Sequence, residues 1–295
     1  VIANRIAERV TATAPDALLG LLAYVQYTRP PLRETPHRAI VPQIAPITYS
    51  RAHPMDDDRV PGNAGLRAIV EGWGKKAAAT SYYFYAYFLA EVTAPCPMLA
   101  KWGHDVPYVL ARGNCRFWQP ETLPNFETMM HALYMGNRLA WDPRLKPADV
   151  YREINERFYG HAAQAMAAYW EFVDRVWVET PEYSGCGFGH LRRWTPERMK
   201  RARELMNAAL GAASTAAEKF RVGLANDSLA LFELFVKLRT DQAEGRFATL
   251  AADAEAWRKQ VLALGEKYKD QFAFSRVGWT PHTVGGGYFA QFYEP

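Results

Sequence analysis

Over its first 140 residues the chain alternates between two hydrophobic periods. LLGLLAY (18–24) and AIVPQIAPI (39–47) are short apolar runs set between turn residues, the pattern of strands buried on both faces. NAGLRAIVEGWGKKAAA (63–79) has helical spacing with Asn63 placed as an N-cap, and it leads into SYYFYAYF (81–88), a third strand. A helix over 98–113, a short strand CRFWQ (115–119) and a helix over 125–141 follow. Strand and helix taking turns is the pattern of a parallel α/β sheet or barrel, and four strands make half of an eight-stranded one. The connection TRPPLRETPHR (28–38) has no helical period. Its eleven residues reach roughly 36 Å when extended, enough to run back along a strand of about 23 Å.

From residue 142 onward the period of two disappears. The stretch 147–178 places Val150, Ile154 and Phe158, then Met166, Tyr169, Trp170 and Val173, on apolar faces, with Gly160 dividing two helices. Thr195-Pro196-Glu197 is a helix start, and two more helices are predicted near 214–243 and 247–269. No period of 20–50 residues recurs, so these helices predict an antiparallel bundle and not a repeat array. The division expected is 1–141 for the barrel segment and 142–295 for the helical domain, with the Gly- and aromatic-rich tail (275–295) packed as a loop.

Composition narrows the function. The chain is 49% hydrophobic and 14% aromatic over 295 residues, which supports a sizeable packed core. Lys plus Arg number 35 against 31 Asp plus Glu, and the charges are spread along the chain, which argues against a nucleic-acid partner. Cys96, Cys115 and Cys186 form no C-x-x-C pair and suggest neither a zinc site nor a disulfide framework. No apolar run approaches the roughly 20 residues of a membrane span. G-x-S-x-G, a Gly-rich phosphate loop and H-E-x-x-H are all missing, so no cofactor is expected. The helical pattern in VIANRIAERV predicts that the chain begins inside a larger protein, which leaves the compartment open.

In a parallel α/β barrel the site lies at the C-terminal ends of the strands. Those ends carry Gln26, Tyr27 and Arg29; Tyr49, Arg51, His53 and the run Asp56–Asp58; Tyr85, Tyr87 and Glu91; and Trp118, Gln119 and Glu121. Each has a plain structural alternative. The rings of SYYFYAYF can be core, Arg51 and His53 can brace their loop, and Asp56–Asp58 reads as a solvated turn in preference to a metal cluster. Glu121, which follows FWQP at a strand end, is the carboxylate chosen for chemistry, with pairing to a neighbouring arginine as its alternative. His131 and His161 fall on helices away from any strand end, where packing or surface roles are favoured.

YMGNRLAWDPRLKPADVYREINERFYGHAAQAMAAYWEFVD (134–174) resembles a pattern of domain-of-unknown-function family 4838. Its members look like relatives of α-glucuronidases and β-N-acetylhexosaminidases. The carrying residues are Leu139-Ala140-Trp141-Asp142-Pro143, then Phe158-Tyr159-Gly160 with Ala162, Ala163, Met166 and Tyr169. LAYVQYTRPP (22–31), VPQIAPITYSRAHP (41–54) and the Tyr-rich strand resemble its barrel segments in the same order, so the likeness spans roughly residues 1–180. Tyr49 and Ser50 stand where the family pattern carries cysteines, which leaves a metal or disulfide role at that loop without support.

The resemblance implies the C-terminal half of a (β/α)8 TIM-type barrel followed by an α-helical bundle. It implies glycosidic-bond hydrolysis as the parent activity, a missing N-terminal half carrying the principal acid, and a periplasmic or secreted setting. Hydrolysis of that kind uses two flanking carboxyl groups. Glu121 is expected to supply one or to hold a sugar hydroxyl. Tyr27, Arg51, His53, Tyr85, Tyr87 and Trp118 are expected to shape the saccharide pocket. Within SYYFYAYF the early rings, Tyr82 to Phe84, are expected in the core, and Tyr85 and Tyr87 at the rim. The alternatives are a non-catalytic saccharide-binding or scaffold protein on the same barrel, and a helical interaction module fused to a degenerate barrel.

Overall fold

A computed structural model describes residues 1–86, 94–122, 126–182, 192–271 and 273–274. Strand and helix alternate as the two periods predict: α1 (Ile2–Thr13), β1 (Leu19–Tyr24), β2 (Ile40–Ala45), α2 (Asn63–Lys76), β3 (Thr80–Ala86), α3 (Leu99–Arg112), β4 (Cys115–Thr122) and α4 (Phe126–Trp141). The four strands form one parallel sheet in chain order, β1-β2-β3-β4. The β1–β2 connection contains only a 3-10 turn, Val25–Tyr27, and otherwise runs back without a helix. Five helices follow: α5 (Pro147–Tyr159), α6 (Ala163–Val178), α7 (Pro196–Ala212), α8 (Ala216–Ala243) and α9 (Leu250–Lys267). None of the described helices is long and apolar enough to cross a membrane.

The helices cover one face of the sheet. Ala23, Ile44, Tyr82 and Phe84 point into that layer and are buried there. The Phe84 ring centroid lies 4.2 Å from that of Trp118 and 5.0 Å from that of Trp102 on α3. Gly136 lets α4 close over both indoles, because a Cβ there would lie 2.2 Å from Trp102 and 2.7 Å from Trp118. The same apolar cluster continues through Met166, Trp170 and Phe232 to Phe274, so residues on both sides of position 141 share one core.

Several local expectations are corrected. Asn63 does not cap α2; it is the first helical residue, and its side chain donates to the carbonyls of Pro54 and Asp57 instead. The LLGLLAY run is not buried on both faces. Leu21 and Leu22 are 37% and 49% exposed, because β1 is an edge strand and among the described residues nothing covers its outer side. Ile2 and Ile6 of α1 likewise face outward, at 77% and 51%. Pro42 sits inside β2 and has no N–H to give β3; the β2–β3 register covers only Gln43 and Ile44. The tail 275–295 lies outside the described residues.

Distant side chains fix the ends of some helices. Asp174 of α6 accepts hydrogen bonds from the N–H groups of Leu99 and Ala100 (2.7 and 3.1 Å) and so caps α3, where Met98 (φ 47°) offers no side-chain cap. Gly160, as predicted, breaks 147–178 into two helices; its φ of +52° suits glycine, and a Cβ there would lie 2.2 Å from the Glu218 carboxylate. Glu218 closes the capping box of α8 with Thr215 and also pairs with His161 (2.9 Å).

Candidate functional site

The face of the sheet that none of the described helices covers carries the alternate residues of each strand, of which Val41, Ala45, Ser81 and Tyr85 are buried. By register, Tyr24 stands level with Ala45, Leu22 with Gln43, Gln43 with Ser81, Tyr83 with Gln119, and Tyr85 with Glu121. Ala45 and Tyr85 form a small apolar cluster separate from the main core, with Tyr24, Ile47 and Tyr83 packed against it. The rings of Tyr83 and Tyr85 meet edge-on at 5.2 Å. The Tyr83 hydroxyl hydrogen-bonds Glu121, and burial together with that carboxylate's charge pushes the phenol above its ordinary pKa, so it stays a donor. Gln43 donates to the side-chain oxygen of Gln119 across β3. The Arg51 guanidinium lies over the Tyr85 ring, 4.7 Å from its centroid. Phenol rings, amides, a carboxylate and the buried Arg51 guanidinium thus stand close together near the C-terminal ends of the strands.

The loop after β2 that carries Arg51 is anchored from below. The His53 Nε2–H donates to the carbonyl of Thr180 (2.6 Å), which makes Nδ1 the acceptor for the Ser50 hydroxyl (2.8 Å). Burial holds this imidazole below its ordinary pKa. Lys101 donates to the His53 carbonyl (3.0 Å) and to Asp105 (2.8 Å), whose other oxygen takes the Met55 N–H (2.7 Å). Asp57 pairs with Arg59 and Asp58 with Arg67, and Asp56 lies 3.1 Å from the His104 ring. Arg59 reaches on to the carbonyls of Val178 and Glu179 at the end of α6, where the helix dipole favours a positive charge.

The residues singled out in the sequence divide accordingly. Glu121, Tyr85 and Arg51 come together on the uncovered face. Tyr27, 77% exposed, stands apart at the end of β1, beside a cleft of about 520 Å³ between α1, β1 and the 29–36 segment. His53 is fully buried with both ring nitrogens engaged, so it braces the loop and does not face the open sheet. Trp118 lies three residues before Glu121, and strand alternation sends it to the helix-covered face, where its indole N–H donates to Asn137 (3.1 Å). Tyr87 and Glu91 fall outside the described residues.

Gln43 and Tyr24 belong to the uncovered face and were not singled out in the sequence; Tyr83, expected in the core with Tyr82 and Phe84, lies on it too, because strand alternation gives it the same side as Tyr85. Among the described residues no group of three or more His, Cys, Asp or Glu side chains is arranged to hold a metal ion, and Cys96 and Cys115 are buried. A family model described as a domain of unknown function, DUF4838, matches residues 1–171. No curated protein and no solved structure matches the chain.

Proposed function

Because the chain belongs to the DUF4838 family, whose match takes in the whole sheet, we propose that it is a carbohydrate-active protein that holds a saccharide on the uncovered face of that sheet. The observation that carries this reading is the convergence of Tyr83, Tyr85, Arg51 and Glu121 near the strand ends. Sugar rings present flat C–H faces and a rim of hydroxyls. Phenol rings match the first, while carboxylate, amide and guanidinium groups match the second. The parallel order and the helices on one face support reading the four strands as the C-terminal half of a (β/α)8 barrel, in which this face would look inward.

Glycosidic hydrolysis is the parent activity in this reading, with Glu121 as one of two carboxyl groups. A second reading, non-catalytic saccharide binding, is favoured by one observation: among the described residues Glu121 is the one carboxylate borne by the four strands. Titration of the protein against an oligosaccharide array, repeated with Glu121→Gln and Tyr85→Phe, tests both. Binding that weakens in both variants supports the site; hydrolysis lost in Glu121→Gln with binding kept selects the enzyme. A wild-type protein that binds no saccharide would exclude either form.

A further inference from the structure

Tyr83 and Glu121 meet along a diagonal of the sheet. The β3–β4 register sets Tyr83 level with Gln119, and Tyr85 level with Glu121. The Tyr83 phenol nonetheless hydrogen-bonds Glu121, two residues further along β4, because diagonal neighbours on adjacent strands lie within reach of an aromatic side chain. Support for that reach comes from behind. The Tyr85 ring stands edge-on to Tyr83 with centroids 5.2 Å apart, and the Arg51 guanidinium lies over Tyr85, 4.7 Å from its centroid. Tyr85 and Arg51 are buried, whereas Tyr83 and Glu121 are half-buried. The loop that carries Arg51 is in turn fixed through His53, which bonds the Thr180 carbonyl, and Lys101, which bonds the His53 carbonyl and Asp105. Packed contacts therefore run from that loop through two rings to one carboxylate.

We propose that Tyr83 is the positioning residue of this site: its O–H holds the Glu121 carboxylate in one orientation, as the acceptor for a hydroxyl of the bound sugar. The inference rests on the saccharide reading and assigns Glu121 its part in it. Tyr83 has one proton to donate, and the carboxylate takes it. What the pair then presents to a ligand is lone pairs, on the phenol oxygen and on the carboxylate. A hydroxyl donor fits there, while an anionic group would meet two acceptors and a negative charge. Burial and the Glu121 charge keep the proton on Tyr83, so this polarity does not reverse at neutral pH. A carboxylate that receives such a bond is suited to attack or to activate water, and not to protonate a leaving oxygen. In the hydrolytic form of the reading the acid therefore comes from outside the four strands, on which Glu121 is the one carboxylate among the described residues.

Two measurements on the 295-residue chain test it. With glutamate labelled at the side-chain carboxyl carbon, the Glu121 magnetic resonance signal is assigned by its loss in Glu121→Gln. It should move in Tyr83→Phe at pH 7 and stay in place in Tyr82→Phe, which removes a phenol oxygen from the helix-covered face. A signal that does not move in Tyr83→Phe overturns the proposal whether or not a sugar binds. The second measurement is a double-mutant cycle, titrating each protein with the array oligosaccharide that wild type binds most tightly. Tyr83→Phe should weaken binding about two- to tenfold when Glu121 is present. In a Glu121→Gln background the factor should be smaller, since a neutral amide takes a weaker bond from the phenol. Equal losses in the two backgrounds would mean that the Tyr83 hydroxyl acts by itself, which overturns the positioning role and leaves the saccharide reading standing. A wild type that binds no oligosaccharide removes that reading, and this role with it.

Discussion

The four described rings of SYYFYAYF, Tyr82 to Tyr85, serve two surfaces, and the division runs by parity and not along the strand. Tyr82 and Phe84 are core; Tyr83 and Tyr85 belong to the uncovered face. Phe84→Ala is expected to cost about 3–5 kcal/mol in urea unfolding. Tyr83→Phe should leave stability nearly unchanged while weakening saccharide binding by about 0.5–1.5 kcal/mol. Equal loss of stability in the two variants would contradict that division. His131 gives a pH test at the same scale. Its ring is buried against Tyr159 and Trp170, and burial lowers its pKa to about 3. The unfolded imidazole binds its proton near pH 6.5, so protonation favours unfolding: the contribution is complete above pH 6.5 and is lost as pH falls toward 3. The slope should approach 1.4 kcal/mol per pH unit, on the order of one proton. The stability difference between wild type and His131→Gln should therefore rise with pH at that slope in unfolding curves taken between pH 4 and 6. Asp174, raised to about 6 by burial, acts with the opposite sign, its contribution falling as pH rises through 6.

At the scale of elements, the turn from α5 into α6 depends on one carboxylate. Glu218 accepts from His161 and from the N–H groups of Ser214, Thr215 and His161, which lowers its pKa to about 2. That stabilisation is present above the ordinary carboxylate range and lost as pH falls toward 2. Glu218→Gln should therefore melt below wild type at pH 6 and alongside it near pH 2; a constant gap would exclude an ionic origin. Gly160→Ala should cost on the order of 1–3 kcal/mol, because the backbone there disfavours any side chain. Strand and helix order was legible in the sequence, since hydrophobic period reports which face of an element is covered. The break at Gly160 and the start at Thr195-Pro196 were legible because their chemistry is local. The Asp174 cap was not, because its partner is 75 residues away. Nor was the exposure of LLGLLAY: an apolar run states a preference for burial, and an edge position overrides it. The gathering of Glu121, Arg51 and Tyr85 follows from their place at strand ends, whereas alternation turns Trp118 to the helix side and burial encloses His53.

For the whole molecule, the shared core sets the unit of unfolding. Since α4 packs on α5 and α8, and a single apolar cluster runs from Ala23 to Phe274, residues 1–141 and 142–274 should unfold together. Far-ultraviolet and near-ultraviolet circular dichroism should give one coincident transition in urea. Two separated transitions would show that the helices stand alone. Within that unit the sheet has a built-in line of weakness. Pro42 gives β3 no donor, so the contact between β2 and β3 is shorter than those on either side. Under a pulling force, or in a rare thermal opening, the sheet would part along that line. β1 and β2 would peel off with α1 as one flap, while β3 and β4 stayed bound to the helices.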